Sequence, residues 1–529
     1  MVAQGRSVDE TRRFLPHSMF QNLTTPVATE AARQQIAALF RAHAEWFCTA
    51  GRGETYAVRR DEVEISVAFQ RLLFSCWTEK GSSSWRVLGW DWNGQMLLLQ
   101  ASRKMGAERQ LIELVPRASA QAVAVTIRAA RELRCEKLAH VSCALQPETR
   151  IERCALSPGT RRGQPSCYAR IVLRRKQTRI AVCGPVVSSH PATVDAFLSA
   201  ALLWFRRTAD RVKPPYIEQL WLVVAKELLK PLLYRVALLR EALRNRIRVF
   251  TVDDELALMQ PAECLERREL WRKKVAQFPP VPAAVISAQT AEIVAFAPEA
   301  IDVVHARHGE TLRYFGLPFA RVRSLLGEER IWFGLDAARR RLLDDATRRD
   351  WENLLHDLRE YRSAPAIDHA HAFYRSAAEA WLESLLRRDI TKLDPGLIVA
   401  PLHAQFRTAR GGKLGIRPVD LLALRQDGRL VVIELKVYED REHVLQGADY
   451  WRRVEAHRRR GHIARAKLFG ELQIKDEPPL VYLVAPTLRV HPSFATLARC
   501  IAPDIEIYRF DVNEDWRSGV RVMRRIRVN

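Results

Sequence analysis

Asp420, Glu434 and Lys436 put two carboxylates and an ammonium within a short stretch of chain. Glu434 and Lys436 interrupt the run Leu430–Val437, which is otherwise Val, Ile and Leu. Such a run predicts a central strand buried on both faces. A carboxylate there costs roughly several kcal/mol unless a charge or a metal ion compensates it. Side chains alternate along a strand, so Glu434 and Lys436, two apart, share a face. Asp420 lies on the preceding predicted strand, Arg417–Leu424. Two acids and a lysine on one face suit a hard divalent cation, Mg²⁺ or Mn²⁺, which retains waters and phosphate oxygens among its ligands. Such an ion polarises a phosphate and activates a water, while Lys436 holds or deprotonates that water or offsets charge in the transition state.

Convergence of the three depends on one turn. A three-residue loop of Gln426, Asp427 and Gly428 pairs Arg425 with Arg429, and counting back along the hairpin sets Asp420 opposite Glu434. Directly opposed residues of an antiparallel pair point to the same face. Gly428 then takes the left-handed position that closes such a loop. A two-residue Asp-Gly turn instead puts Asp420 and Glu434 on opposite faces.

The surrounding elements must deliver this hairpin. From His371 the chain reads helix, strand, strand, strand, helix, strand. The first helix, FYRSAAEAWLESLLRRDI, carries Glu379 and Glu383 four residues apart and so on one face. Leu397–Phe406 is the first strand. The helix after Val437 contains Gln446 and Tyr450, and Arg453 and His457 continue the same face, a route to a phosphate backbone. Val481–Ala485 and Ile505–Val512 supply further strands, and Gly519–Val528 reads as an edge strand whose arginines discourage aggregation.

The series Arg417-Pro418-Val419-Asp420, then Val432-Ile433-Glu434-Leu435-Lys436, resembles the PD-(D/E)xK phosphodiesterase superfamily. The resemblance covers the chain from near His371 to the C terminus. It implies a restriction-endonuclease-like αβββαβ core with a mixed sheet, with Asp420 and Glu434 as metal ligands and Lys436 on the nucleophilic water. Glu379 or Glu383 is then the acidic residue of the first core helix, Glu379 being preferred and counted as a third metal ligand. Gln446 and Tyr450 resemble the Gln-xxx-Tyr element of the subgroup related to recombination nucleases.

The rest of the chain is read from composition and pattern. At 529 residues, 48% hydrophobic and 27% charged, the sequence describes a multidomain α/β protein without long disordered spans. The expected segments are a leader and helix (1–53), a β-rich domain (54–205), a β-α-β region (206–277), a small α/β region (285–365) and the nuclease-like domain (366–529). The Pro-rich string Phe278–Ala284 is the expected linker. Trp77, Trp85, Trp90 and Trp92 are expected in the core of the β-rich domain rather than as base-stacking platforms. In the β-α-β region Pro231 is expected to open a helix whose Arg235, Arg240, Arg244 and Arg246 form a solvated face. A formal charge of +23 favours polyanionic partners, nucleic acid first. Nine cysteines, an odd number without a CxxC pair, fit a reducing compartment. No signal-peptide-like or membrane-spanning apolar run is read, so the expected location is cytoplasmic.

These features predict a Mg²⁺- or Mn²⁺-dependent nuclease acting on DNA in preference to RNA. From a different class comes a nucleic-acid-binding or scaffold protein whose nuclease-like domain no longer turns over. A third possibility is an interaction protein with a chance motif.

Overall fold

The computed structural model describes residues 29–529 apart from 51–54, 69, 79–80, 93, 95, 104–107, 118–119, 158–167, 187–193, 212–213, 215, 254, 273–284, 307–308, 326–327, 336–339 and 400–419. The expected linker at Phe278–Ala284, and Arg417, Pro418 and Val419, lie outside the described residues. The protein is mixed α/β with several sheets, and its contacts divide it into two compact units.

The first unit carries a seven-stranded antiparallel sheet in which five successive strands from Val63–Ala68 to Glu108–Pro116 run as a meander. The amphipathic helix Thr29–Ala42 lays Ile36 and Phe40 against this sheet, beside Trp46, Phe74 and Trp85. Trp85 is buried, and Trp90 and Trp92 pack on the same cluster. Trp85, Trp90 and Trp92 are therefore core residues, as their setting in a small β-domain predicts, whereas Trp77 is half-buried and is not part of this cluster.

The second unit contains the remaining sheets, except for the parts of the strands Thr149–Leu156, Tyr168–Arg175 and Thr178–Pro185 that fall in the first. In one, Ile217–Ala225 lies parallel to Thr178–Pro185 and to Ile247–Val252. The connection between the last two strands is a pair of short helices, Lys226–Val236 and Glu241–Arg244, rather than one long helix. Pro231 sits inside the first of these, not at its start. The second sheet is antiparallel, from Ile301–Ala306 to Arg341–Leu342, and packs Phe319 and Phe333 against Trp351 and Leu358 of the helix Arg348–Tyr361.

The third sheet has six strands in the order Leu397–Val399, Leu421–Arg425, Leu430–Leu435, Leu480–Pro486, Ile507–Val512, Val522–Arg527. The three strands from Leu430 to Val512 are parallel and the outer pairings antiparallel. Alternation divides the side chains cleanly. Leu421, Ala423, Val431 and Ile433 meet Trp381, Leu382 and Leu386 of the helix Ala378–Arg388. Leu422, Leu424, Leu430 and Val432 meet Tyr450 and Val454 of the helix His443–Arg458. Gly447 permits the close seating of the latter helix, since a Cβ there would lie 2.5 Å from Leu483 Cδ2.

The helix expected over Phe373–Ile390 is instead two, Ala372–Arg375 and Ala378–Arg388. Between them Ala377 is left-handed, with φ 47°. The cause is Arg362, whose guanidinium is fully buried. It donates to the carbonyls of Tyr314 (2.8 Å), Phe315 (2.7 Å), Phe373 (2.7 Å), Ser376 (2.8 Å) and Ala377 (3.4 Å). Turning the Phe373 and Ser376 carbonyls toward one cation removes them from a continuous helical ladder, while Ala377 O accepts from Trp381 N and opens the second helix. The same guanidinium lies 4.8 Å from the Trp381 ring centroid and so seats the helix that bears Glu379.

Candidate active site

The hairpin that joins the first acid to the second has the three-residue loop. Leu421 pairs with Ile433, and Leu424 with Leu430. Arg425 N donates to Arg429 O at 2.9 Å, and Gly428 N to Arg425 O at 2.8 Å. Gly428 takes φ 82°, a value that costs glycine little. Asp427 fixes the loop further by accepting from Arg429 N at 3.1 Å. Continued one pair beyond Leu421, this register sets Asp420 opposite Glu434. The Asp420 carboxylate accepts from Leu435 N at 2.8 Å.

Glu434 is 1% exposed, within a strand that is buried along its whole length. Its Oε1 accepts from Lys436 Nζ at 2.8 Å. Its Oε2 is buried and accepts from no donor among the described residues; it faces the Asp420 carboxyl, with which it can hydrogen-bond only when one of the two acids is protonated. Burial, and then the facing Asp420 charge, push the Glu434 pKa well above the carboxylate range. Burial also lifts Asp420, to about 6, although Lys436 and the Leu435 amide pull it back. For Lys436, burial opposes the charge, but Glu434, Glu379 and Asp420 outweigh it and hold the ammonium above its ordinary pKa.

Two residues that sequence reasoning missed also meet here. Asp440 Oδ2 is 3.8 Å from Lys436 Nζ, four residues on in the non-helical segment after the strand. His443 Nε2 lies 3.2 Å from Glu434 O, and burial with the nearby Lys436 charge lowers its pKa to about 3, so the ring is neutral. A neutral ring can donate one proton to that carbonyl and fix the strand end. Neither contact was legible in sequence, because both depend on how the chain turns after the strand.

The acids of the helix Ala378–Arg388 part company. Glu379 Oε2 is 3.9 Å from Lys436 Nζ, so it joins the site through the lysine. It does not complete a three-carboxylate cluster with Asp420 and Glu434. Among the described residues no group of three or more His, Cys, Asp or Glu side chains is arranged to hold a metal ion. Glu383 is buried, and that burial raises its pKa to about 8; Arg387 and Arg313 draw it down and Asp302 raises it. A carboxyl whose folded pKa exceeds its unfolded value stabilises the fold at low pH and loses that contribution as pH rises from about 4.5 to about 8. Glu383→Gln is therefore expected to flatten the decline in stability across this window, by on the order of 3 kcal/mol. Urea midpoints of both proteins at pH 5 and pH 8.5 measure it, and parallel pH dependences would refute the assignment.

The face carrying Gln446, Tyr450, Arg453 and His457 is a packing face rather than a path for a phosphate backbone. Tyr450 and His457 are buried, the former in the core with Val432 and Val454. His457 Nδ1 lies 3.2 Å from His462 Nδ1. Gln446 is buried, with Nε2 3.5 Å from Glu442 Oε2 and Oε1 unpartnered. Arg453 pairs with Asp449 at 2.6 Å and covers the Tyr450 ring at 5.2 Å. The physical reason is enclosure, for the helix His443–Arg458 touches the sheet and four helices besides. Tyr450 still belongs to the site's surroundings: burial and the charges of Glu434 and Asp420 hold its hydroxyl protonated.

One anchor of that helix comes from the preceding region. Asp449, wholly buried, faces Arg452 (2.6 Å), Arg453 (2.6 Å) and Arg235 (3.2 Å), and Arg235 also reaches Asp195 at 2.9 Å. Burial raises the Asp449 pKa, but Arg235, Arg452 and Arg453 override it and keep the carboxylate ionised. Arg235, expected on a solvated face, is thus an internal ion-pair partner.

No protein-family model, curated protein or solved structure matches the chain, so the geometry of the site itself carries its functional reading. Among the described residues no helix is long and apolar enough to cross a membrane.

Proposed function

We propose that the C-terminal region is a divalent-metal-dependent nuclease domain of the PD-(D/E)xK, restriction-endonuclease-like type, hydrolysing phosphodiester bonds of nucleic acid, with DNA preferred. The observation that carries this reading is Glu434 Oε2, a buried carboxylate oxygen without a donor, opposite Asp420 and beside Lys436. A buried acceptor left unpaired costs about 1–3 kcal/mol, and two facing acids add repulsion. A divalent cation compensates both, and Mg²⁺ or Mn²⁺ is satisfied by one or two carboxylates plus waters and phosphate oxygens. Asp420 and Glu434 are the residues that would hold it. When bound, the ion would supply Lewis acidity at the phosphate and lower the pKa of a water.

The chain's own groups divide the remaining work. Lys436, held charged by three acids, suits charge stabilisation and water orientation better than proton removal. Glu379, half exposed and 3.9 Å from the ammonium, keeps Lys436 directed toward the acids. His443 fixes the Glu434 backbone, and the Leu435 amide aims Asp420. Support for the fold assignment is the order of elements: an acid-bearing helix, an antiparallel trio of strands, a helix, and a parallel strand in a mixed sheet. The charge of +23 supports a polyanionic substrate.

The alternative is a nucleic-acid-binding or scaffold protein that does not turn over, and one observation favours it: the lack, among the described residues, of a three-ligand metal group. The test is incubation of the purified full chain with linear, circular and branched DNA and with RNA, in Mg²⁺, Mn²⁺ or EDTA. Cleavage that requires the cation and vanishes in Glu434→Ala is expected. Equal cutting by both proteins, or none by wild type on any substrate, would defeat the proposal.

A further inference from the structure

At the C-terminal end of the parallel strands, a cavity of about 120 Å³ is lined by Val437, Tyr438, Arg489, Glu514, Trp516 and Arg517 among others. Val437 and Tyr438 directly follow Lys436, so the cavity begins within roughly 7 Å of chain from the lysine. The carboxyl ends of parallel strands are where open α/β sheets receive ligands.

The charges lining it do not cancel. Glu514 is engaged twice, accepting from Leu488 N at 2.6 Å and lying 3.7 Å from Arg489 Nε. Among the described residues Arg517 has no carboxylate at ion-pair distance; it hydrogen-bonds the Tyr374 side chain, while its Nε is buried without a hydrogen-bond partner. Instead its guanidinium is walled by rings, 4.3 Å from the Trp516 centroid, 4.5 Å from Tyr374 and 5.1 Å from Trp381. Burial accordingly lowers its pKa. Aromatic faces fix a guanidinium in one plane and position; beyond the hydrogen bond to Tyr374, its Nε–H still lacks an acceptor, and a planar donor fork matches the oxygens of a phosphate. Tyr438, at the rim, is 57% exposed. An exposed large ring beside a cationic cavity has the composition of a single-strand platform, one group for the backbone and one for a base face.

We propose that this cavity is a backbone-phosphate subsite for the nucleic-acid strand entering the reaction centre, with Arg517 holding the phosphate and Tyr438 stacking on the adjoining base. Its role beside the cleaved bond rests on the nuclease reading above, but its affinity for nucleic acid does not.

The experiment is fluorescence polarisation of the full chain with a labelled single-stranded DNA 20-mer and its duplex, in EDTA so that nothing is cut, over a series of salt concentrations. Arg517→Gln is expected to weaken binding about 10-fold and to reduce the slope of log affinity against log salt by about 1. Tyr438→Ala, a surface change that leaves the core intact, is expected to weaken single-strand binding by about 5- to 10-fold and duplex binding less. Should Arg517→Gln fail to fold by circular dichroism, Tyr438→Ala alone decides. Wild-type affinity in the folded variants overturns the subsite, even if Glu434→Ala abolishes cleavage and the nuclease reading holds. Conversely, weakened binding in these variants with no cleavage by any form of the protein upholds the subsite and removes the nuclease reading.

Discussion

Glu434→Gln is expected to lower metal-dependent cleavage by about a thousandfold or more while making the metal-free protein more stable. Both effects follow from one buried group. As a carboxylate, Glu434 faces Asp420 with an unpaired oxygen, and burial has raised its pKa well above the ordinary range. A folded pKa above the unfolded value means that stability is full at low pH and is lost as pH rises, because the native state must either retain a proton or bury the charge. The amide has nearly the same shape and no charge. Its oxygen can still accept from Lys436, and its NH₂ can donate to Asp420, which converts a repulsion into a hydrogen bond. We expect a higher melting temperature than wild type at pH 8, with little difference at pH 4. The same exchange removes a ligand charge that a divalent cation needs. Mg²⁺ or Mn²⁺ is therefore expected to raise the melting temperature of wild type and not of the variant. Thermal melts with and without cation, at the two pH values, read out the site independently of turnover. A variant that melts lower than wild type in EDTA at pH 8, or that responds to cation as wild type does, would show that the pair is not a cation site.

The second large effect lies away from the chemistry. Arg362→Met is expected to destabilise the second unit by more than about 4 kcal/mol, since five backbone carbonyls each lose a hydrogen bond inside a site from which water is excluded, Ala377 O keeping the one from Trp381 N. Arg362 is fully buried, and that burial lowers its pKa. A methionine fills most of the volume but satisfies none of the carbonyls. Arg362→Lys should recover little, because a compact ammonium with three donors cannot span carbonyls set by a planar fork. Urea denaturation followed by near-ultraviolet circular dichroism measures the loss, with Trp381 as a local reporter at 4.8 Å. A cost below about 1 kcal/mol would mean that the carbonyls find other partners. Because the Arg362 contacts set the break at Ala377, a surviving variant should also misplace Glu379 and thus weaken the hold on Lys436.

Much of the C-terminal sheet could be read from local pattern. Period-two alternation and the Gln426-Asp427-Gly428 turn are encoded by residues adjacent in sequence, and the register Leu421 to Ile433 is the one that loop imposes. A glycine at the left-handed position and an apolar run broken only by Glu434 and Lys436 are sufficient for that inference. Burial of the even- and odd-numbered side chains on opposite faces followed in the same way.

Other features were not legible because their causes lie far away in sequence. The face of Gln446, Tyr450, Arg453 and His457 has helical spacing whether it meets solvent or a neighbour, and only the packing around it decides which. Arg235 reads as a solvated arginine until Asp195 and Asp449 approach it from two other helices. The helix through Ser376 reads as continuous until Arg362 draws its carbonyls aside. Sequence by itself therefore determined which residues could form a two-carboxylate and lysine site and the turn that aligns them, since alternation and turn conformation are properties of neighbouring residues. Tertiary structure alone decided which charges are buried and what compensates them, because desolvation depends on every atom brought within a few ångströms, and those atoms come from segments that no local pattern connects.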